Sequence, residues 1–147
     1  MATKKRTCVV GIGNPLRSDD GVGPYVCQLL EEIKLSNVHF IETHQLDMGL
    51  AEELSKYDRV IFADASLELE TFSFLPIQLE HHVQTQSFSH QINPSMLASL
   101  TSQLYKQNTQ FYICAIGASN FEMGNLLSVS ARKNVQDAVA LLSQWLQ

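Results

Sequence analysis

An α/β fold is predicted: a single three-layer domain whose mostly parallel, twisted sheet carries helices on both faces and one antiparallel edge strand or hairpin. Three observations predict it. The short runs "TCVVGIG", "RVIFADA" and "QFYICAIG" are apolar throughout rather than alternating, as strands covered on both faces are. Segments with helical periodicity separate them, and strands alternating with helices imply parallel pairing through right-handed crossovers. One stretch, "ETFSFLPI", does alternate and carries Pro76, which suits only an edge. With 147 residues, 45% of them hydrophobic, the chain can bury one core, so one domain is expected to span residues 1–147.

The elements follow in order. The first apolar run is a buried strand ending in glycines. After a loop, Val22, Val26, Leu29, Leu30 and Ile33 recur at helical spacing. Pro24 is tolerated only in a first turn, which sets the helix start near residues 20–24. "VHFIET" reads as a second strand and "MGLAEELSK" as a short helix. "RVIFADA" is a buried strand expected to end at Asp64. After the edge strand, "EHHVQTQSFSHQI" is polar and reads as a loop. Asn93 then caps a helix with Pro94 at its first position and Met96, Leu97, Leu100 and Leu104 on its inner face. "QFYICAIG" is a further buried strand. A last helix from about Ser130 sets Val135, Ala138, Val139, Leu142, Trp145 and Leu146 on one face.

Composition narrows the function. The formal net charge is -5 and the pI about 5.4. The cations do not cluster beyond Lys4, Lys5 and Arg6, which read as a solvated terminus, so a nucleic-acid partner is not expected. Cys8, Cys27 and Cys114 are odd in number and form no CxxC pair. They read as reduced, buried residues of a cytoplasmic protein. No apolar run approaches the ~18 residues of a membrane helix, and no signal-peptide pattern precedes the first strand. No membrane association is expected.

The stretch "GIGNPLRSDDGVG", Gly11 to Gly23, carries the main signal. A dinucleotide fingerprint needs a third glycine where Leu16 stands. A P-loop needs a Gly-Lys-Ser/Thr that does not follow. Asp19 and Asp20 put negative charge where a helix start would meet a phosphate. Two readings remain. The glycines could make only a tight turn, with the aspartates serving the helix start. Alternatively the carboxylates perform chemistry. In parallel sheets, sites form beyond the carboxyl ends of the strands, and both this loop and Asp64 lie at that edge. Asp64 could also merely cap the next turn. Asn14 is expected to tie the loop down through its side chain, or to contact a client backbone. Among other hydrolytic plans, G-x-S-x-G and H-E-x-x-H are absent. Cys27 falls inside the helix pattern without an electropositive setting.

"GIGNPLRSDDGVGPYV" resembles the G-x-G-N-x-x-x-x-D-[DE]-G-x-G opening of the [NiFe]-hydrogenase maturation endopeptidases. "VIFADA" resembles that family's strand ending in aspartate, and "SFSHQI" its later S-x-H-[QE] segment. The resemblance spans most of the chain. It implies a cytosolic α/β protease that removes a C-terminal extension from a hydrogenase large-subunit precursor once nickel is inserted. The client's nickel is then the recognition element, and the protease needs no cofactor of its own. Carried over by position, the catalytic and metal-contacting residues are Asp20, Asp64 and His90. Asp19 is assigned structural support at the helix start, and the adjacent His81 and His82 are read as solvated. The chain departs from the family where many members have a glycine-rich turn; here it reads "ETHQLDMG". That leaves client docking open, including the role of His44, Gln45 and Leu46.

Two carboxylates and an imidazole make an open site for a borderline divalent ion such as nickel. A metal there could polarise the scissile carbonyl, or an aspartate could activate the attacking water. Two other readings are weighed. One is a non-catalytic assembly factor that binds the nickel-loaded client. The other is a peptidyl-tRNA hydrolase-like enzyme, suggested by "GIGNP" but opposed by "LRSDDG" and the acidic balance. A monomer is expected.

Overall fold

The computed structural model describes residues 4–80, 92–106 and 108–147. Among the described residues, five strands form one sheet in the order β2-β1-β3-β5-β4: β1 Thr7–Ile12, β2 Val38–Thr43, β3 Arg59–Ser66, β4 Phe72–Pro76 and β5 Gln110–Gly117. The first three and β5 run parallel; β4 pairs antiparallel with β5. Pro76 ends that edge strand, where its missing N–H costs no ladder bond. The α-helices of the described residues that cover the sheet are α1 Val22–Ile33, α2 Leu50–Leu54, α3 Pro94–Tyr105 and α4 Val129–Trp145.

The layers follow from strand residues pointing alternately to opposite faces. On one face Val9, Ile61, Cys114 and Ile116 meet α1 and α4 through Val26, Leu30, Val135 and Leu142. On the other, Cys8, Val10, Val60 and Phe62 meet α2 and α3 through Leu54, Leu97 and Ala98. The expected three-layer α/β domain is thus present. α3 begins as expected, with Asn93 Oδ1 accepting from the Met96 N–H at 2.8 Å and Pro94 at the first position.

Three local expectations are corrected. β3 does not end at Asp64 but continues to Ser66. β1 leaves it after the Gly11–Ala63 pair, whereas β5 pairs on as far as Ser66–Gly117. Leu104 and Ile33 lie on exposed rather than inner faces, because both sit in last helical turns that run past the core. The basic start is not simply solvated: the Arg6 N–H donates to Asp58 Oδ2 at 2.8 Å, and its guanidinium lies 5.0 Å from the Tyr57 ring.

The sheet order places a switch point between β1 and β3. The chain leaves β1 outward to β2, then returns to lay β3 on β1's other side. Loops leaving the carboxyl ends of such neighbours diverge, and the crevice between them is where open α/β sheets bind ligands.

Candidate active site

The loop from β1 to α1 is built by glycines used at close range. Gly13 has φ +140, and a Cβ on it would strike the Asp20 carbonyl. A side chain on Gly11 would meet the Gly23 carbonyl and Cys27 Sγ, so this glycine lets α1 lie directly on β1. A short 3-10 turn, Ser18–Gly21, joins loop to helix. Ser18 enters it at φ +53, a strained conformation for a residue with a Cβ. Its Oγ–H donates to the Glu122 carbonyl at 2.8 Å and its N–H to the Gly124 carbonyl at 2.8 Å. The opening loop is therefore zipped to the segment that follows β5.

The two adjacent aspartates divide into separate roles. Asp19 is fully buried. Its carboxylate accepts from the N–H groups of Ser119, Asn120 and Ser128 at 3.0, 3.1 and 2.7 Å, and from the Ser128 hydroxyl at 2.8 Å. Burial pushes its pKa up, but these four donors outweigh burial and hold it below the ordinary value. Asp19 is the clamp between the two loops, as the structural-support reading expects.

Asp20 faces the other way, into a cleft of about 390 Å³ whose lining includes Arg17, His44, Asp64 and Asn93. One carboxylate oxygen, Oδ2, accepts the Asn14 N–H at 2.8 Å. Asn14 in turn accepts the Leu16 N–H on its own side chain at 2.9 Å, so it ties the loop as expected. Asp64 enters the same cleft from β3, just beyond the point where β1 stops flanking it. Its Oδ1 accepts the Ala65 N–H at 2.8 Å. Burial, opposed by that hydrogen bond and reinforced by the charge of Asp20, pushes its carboxyl up to about 6. Among the described residues no donor reaches Asp20 Oδ1 or Asp64 Oδ2. Among the described residues, each carboxylate is thus fixed through one oxygen and open through the other.

The structure answers the phosphate question raised by the glycines. From Gly13 to Asp20 every backbone N–H is already engaged. Gly13 donates to the Thr43 carbonyl, Arg17 to the Asn14 carbonyl, Ser18 to Gly124, Asp19 to Asn120 and Asp20 to Arg17. Asn14 and Leu16 donate to side-chain oxygens, and Pro15 has no N–H. A phosphate cradle needs several such groups pointing at the anion. The loop presents carboxylates instead.

His90, His81 and His82 lie outside the described residues. Among the described residues no group of three His, Cys, Asp or Glu side chains could hold a metal ion. The structure therefore brings together Asp20 and Asp64 of the three expected residues. It adds two that sequence reasoning did not weigh in the site. Asn93, read only as a helix cap, also borders the cleft. Arg17 supplies the one permanent cation among the described lining residues; the visible signal was a lone basic residue inside the opening motif. His44 lines the same cleft, on the segment where the sequence departs from the family pattern. All three cysteines are free and buried, and burial pushes each thiol up to about 12, the setting of a core residue and not of an activated thiolate.

No family model and no curated protein matches the sequence. Solved structures do match over nearly the whole chain. The [NiFe] hydrogenase maturation protease HycI of Thermococcus kodakarensis KOD1 superposes with a TM-score of 0.75 at 19% identity, over 99% of this chain and 94% of that one. The hydrogenase 2 maturation peptidase of Thaumarchaeota archaeon SCGC_AB-539-E09 gives 0.69 at 23% identity, over 97% and 98%. The hydrogenase maturating endopeptidase HybD of E. coli gives 0.67 at 19% identity, over 93% and 89%. At such identities the likeness establishes the fold, and the fold of this chain is that of the hydrogenase maturation proteases.

Proposed function

We infer that the chain is an endopeptidase that trims the C-terminal extension of a [NiFe]-hydrogenase large-subunit precursor after nickel insertion. The observation that carries this reading is the meeting of Asp20 and Asp64 in one cleft at the switch point of the sheet. Solved examples of this fold bear the names of hydrogenase maturation proteases. The nickel belongs to the client and is part of the substrate. Of the expected ligands Asp20, Asp64 and His90, Asp20 and His90 suit such an ion with positions left for client groups, and Asp64 is left free to act on the attacking water. The free, buried thiols suit a cytoplasmic enzyme.

The chain's own residues suggest how a peptide bond would be hydrolysed. Asp64, with its carboxyl raised to about 6, is a stronger base than an ordinary aspartate yet largely ionised near neutral pH. That is the poise a general base needs. It takes a proton from the attacking water and returns it to the leaving amine. Asp20, anchored by Asn14, holds the client beside it. A general base contributes about 10²- to 10⁴-fold, so Asp64→Asn is expected to slow cleavage by that order.

A non-catalytic assembly factor remains the second reading, because carboxylates that grip nickel need not cut. The test is incubation of the precursor, nickel-loaded and nickel-free, with the protein, followed by intact mass and native gel analysis. Truncation of the loaded precursor alone supports the endopeptidase. A stable nickel-dependent complex with an intact precursor supports the assembly factor.

A further inference from the structure

We propose that Arg17 is a catalytic residue of this site, donating to the oxyanion that forms on the scissile carbonyl. The role rests on the endopeptidase reading above. Hydrolysis adds the water oxygen to the carbonyl carbon, moves the C=O π pair onto the carbonyl oxygen and delivers the water proton to Asp64. Collapse re-forms C=O and breaks the C–N bond, and the amine leaves with that proton. The new negative charge arises in a cleft that already holds two carboxylates, so it needs a donor close by.

Backbone N–H groups usually meet that need, and the loop beside Asp20 cannot supply them. Each of its N–H groups from Gly13 to Asp20 is spent inside the protein. Arg17 lines the cleft and is the one permanent cation among its described lining residues. Although both carboxylates share the cleft, neither pairs with it: the ion pairs among the described residues are Lys56–Glu53 and Lys133–Asp137. Its backbone is nonetheless fixed. The Arg17 N–H donates to the Asn14 carbonyl at 3.0 Å, its carbonyl accepts from Asp20 at 3.1 Å, and the residue bridges to Gly124. Among the described residues its guanidinium has no ion-pair partner, so a planar cationic fork on a fixed backbone is left to meet the oxyanion.

The test compares wild type, Arg17→Gln, Arg17→Lys and Asp64→Asn on nickel-loaded precursor, with protease in excess and its concentration varied. This separates the cleavage rate from binding. Arg17→Gln is expected to slow cleavage about 100- to 1,000-fold, the effect of losing one oxyanion donor, with half-saturation little changed. Arg17→Lys should fall between, because it keeps the charge without the planar fork. Added guanidinium ion should restore part of the Arg17→Gln rate. An unchanged rate in Arg17→Gln, or a rise in half-saturation alone, overturns the role and leaves the endopeptidase reading standing. If wild type does not cut, both readings fall together.

Discussion

Replacing Asp64 by asparagine should stabilise the folded protein at neutral pH while it disables cleavage. The carboxyl is raised from the ordinary 3.8 to about 6, first by burial and then by the charge of Asp20, against the lowering effect of the Ala65 N–H. The folded state therefore holds this proton more tightly than the unfolded chain. Stability from this group is full below about pH 4, where both states are protonated. It falls as pH rises to about 6 and stays low above that. A gap of roughly two pKa units is worth about 3 kcal/mol at 1.36 kcal/mol each, and partial solvent access lowers the realised value to about 1–3 kcal/mol. Asparagine keeps the Oδ1 that accepts the Ala65 N–H and never ionises. Thermal melting in the presence of a chelator, from pH 4 to pH 8, should show the variant's advantage growing through pH 4–6 to about 3–8 °C. A variant that melts lower than wild type at pH 7.5, or whose advantage does not change with pH, refutes the buried-carboxylate reasoning. Gain of stability with loss of activity is the mark of a residue kept for chemistry.

Asp19 should behave in the opposite way. Asp19→Ala strands the donors of Ser119, Asn120 and Ser128, and denaturant titration should show a loss of at least about 3 kcal/mol. Because its pKa is lowered on folding, its contribution is present above the ordinary carboxylate range and fades as pH falls below about 4. Acid titration should lose this component of the instability when Asp19 is replaced. Cys8, Cys27 and Cys114 are buried, with thiols raised to about 12. A disulfide reagent at pH 8 should label none of them until the protein unfolds; rapid labelling of the native state would contradict their burial.

The architecture was legible because both-face burial leaves long apolar runs. β2 and β5 span the very residues that periodicity indicates. What failed was non-local. The length of β3 is set by β5, its partner some fifty residues later, and no local pattern carries that. Ile33 and Leu104 keep helical spacing but sit where the helices have outrun the core. At the site, the spacing marked Asp19 and Asp20 equally, and only the family resemblance chose Asp20. The structure gives the physical reason, since the donors that claim Asp19 lie a hundred residues further along the chain. Arg17 was overlooked because sequence cannot tell a spent cation from a free one.

The proposed nickel-dependent endopeptidase activity rests on Asp20 and Asp64 together. The most direct measurement is the intact mass of nickel-loaded large-subunit precursor after incubation with wild type, Asp20→Asn and Asp64→Asn, each first shown to be folded. Expected are a single C-terminal truncation with wild type and an intact precursor with both variants over the same time. Truncation by either variant at the wild-type rate would contradict it.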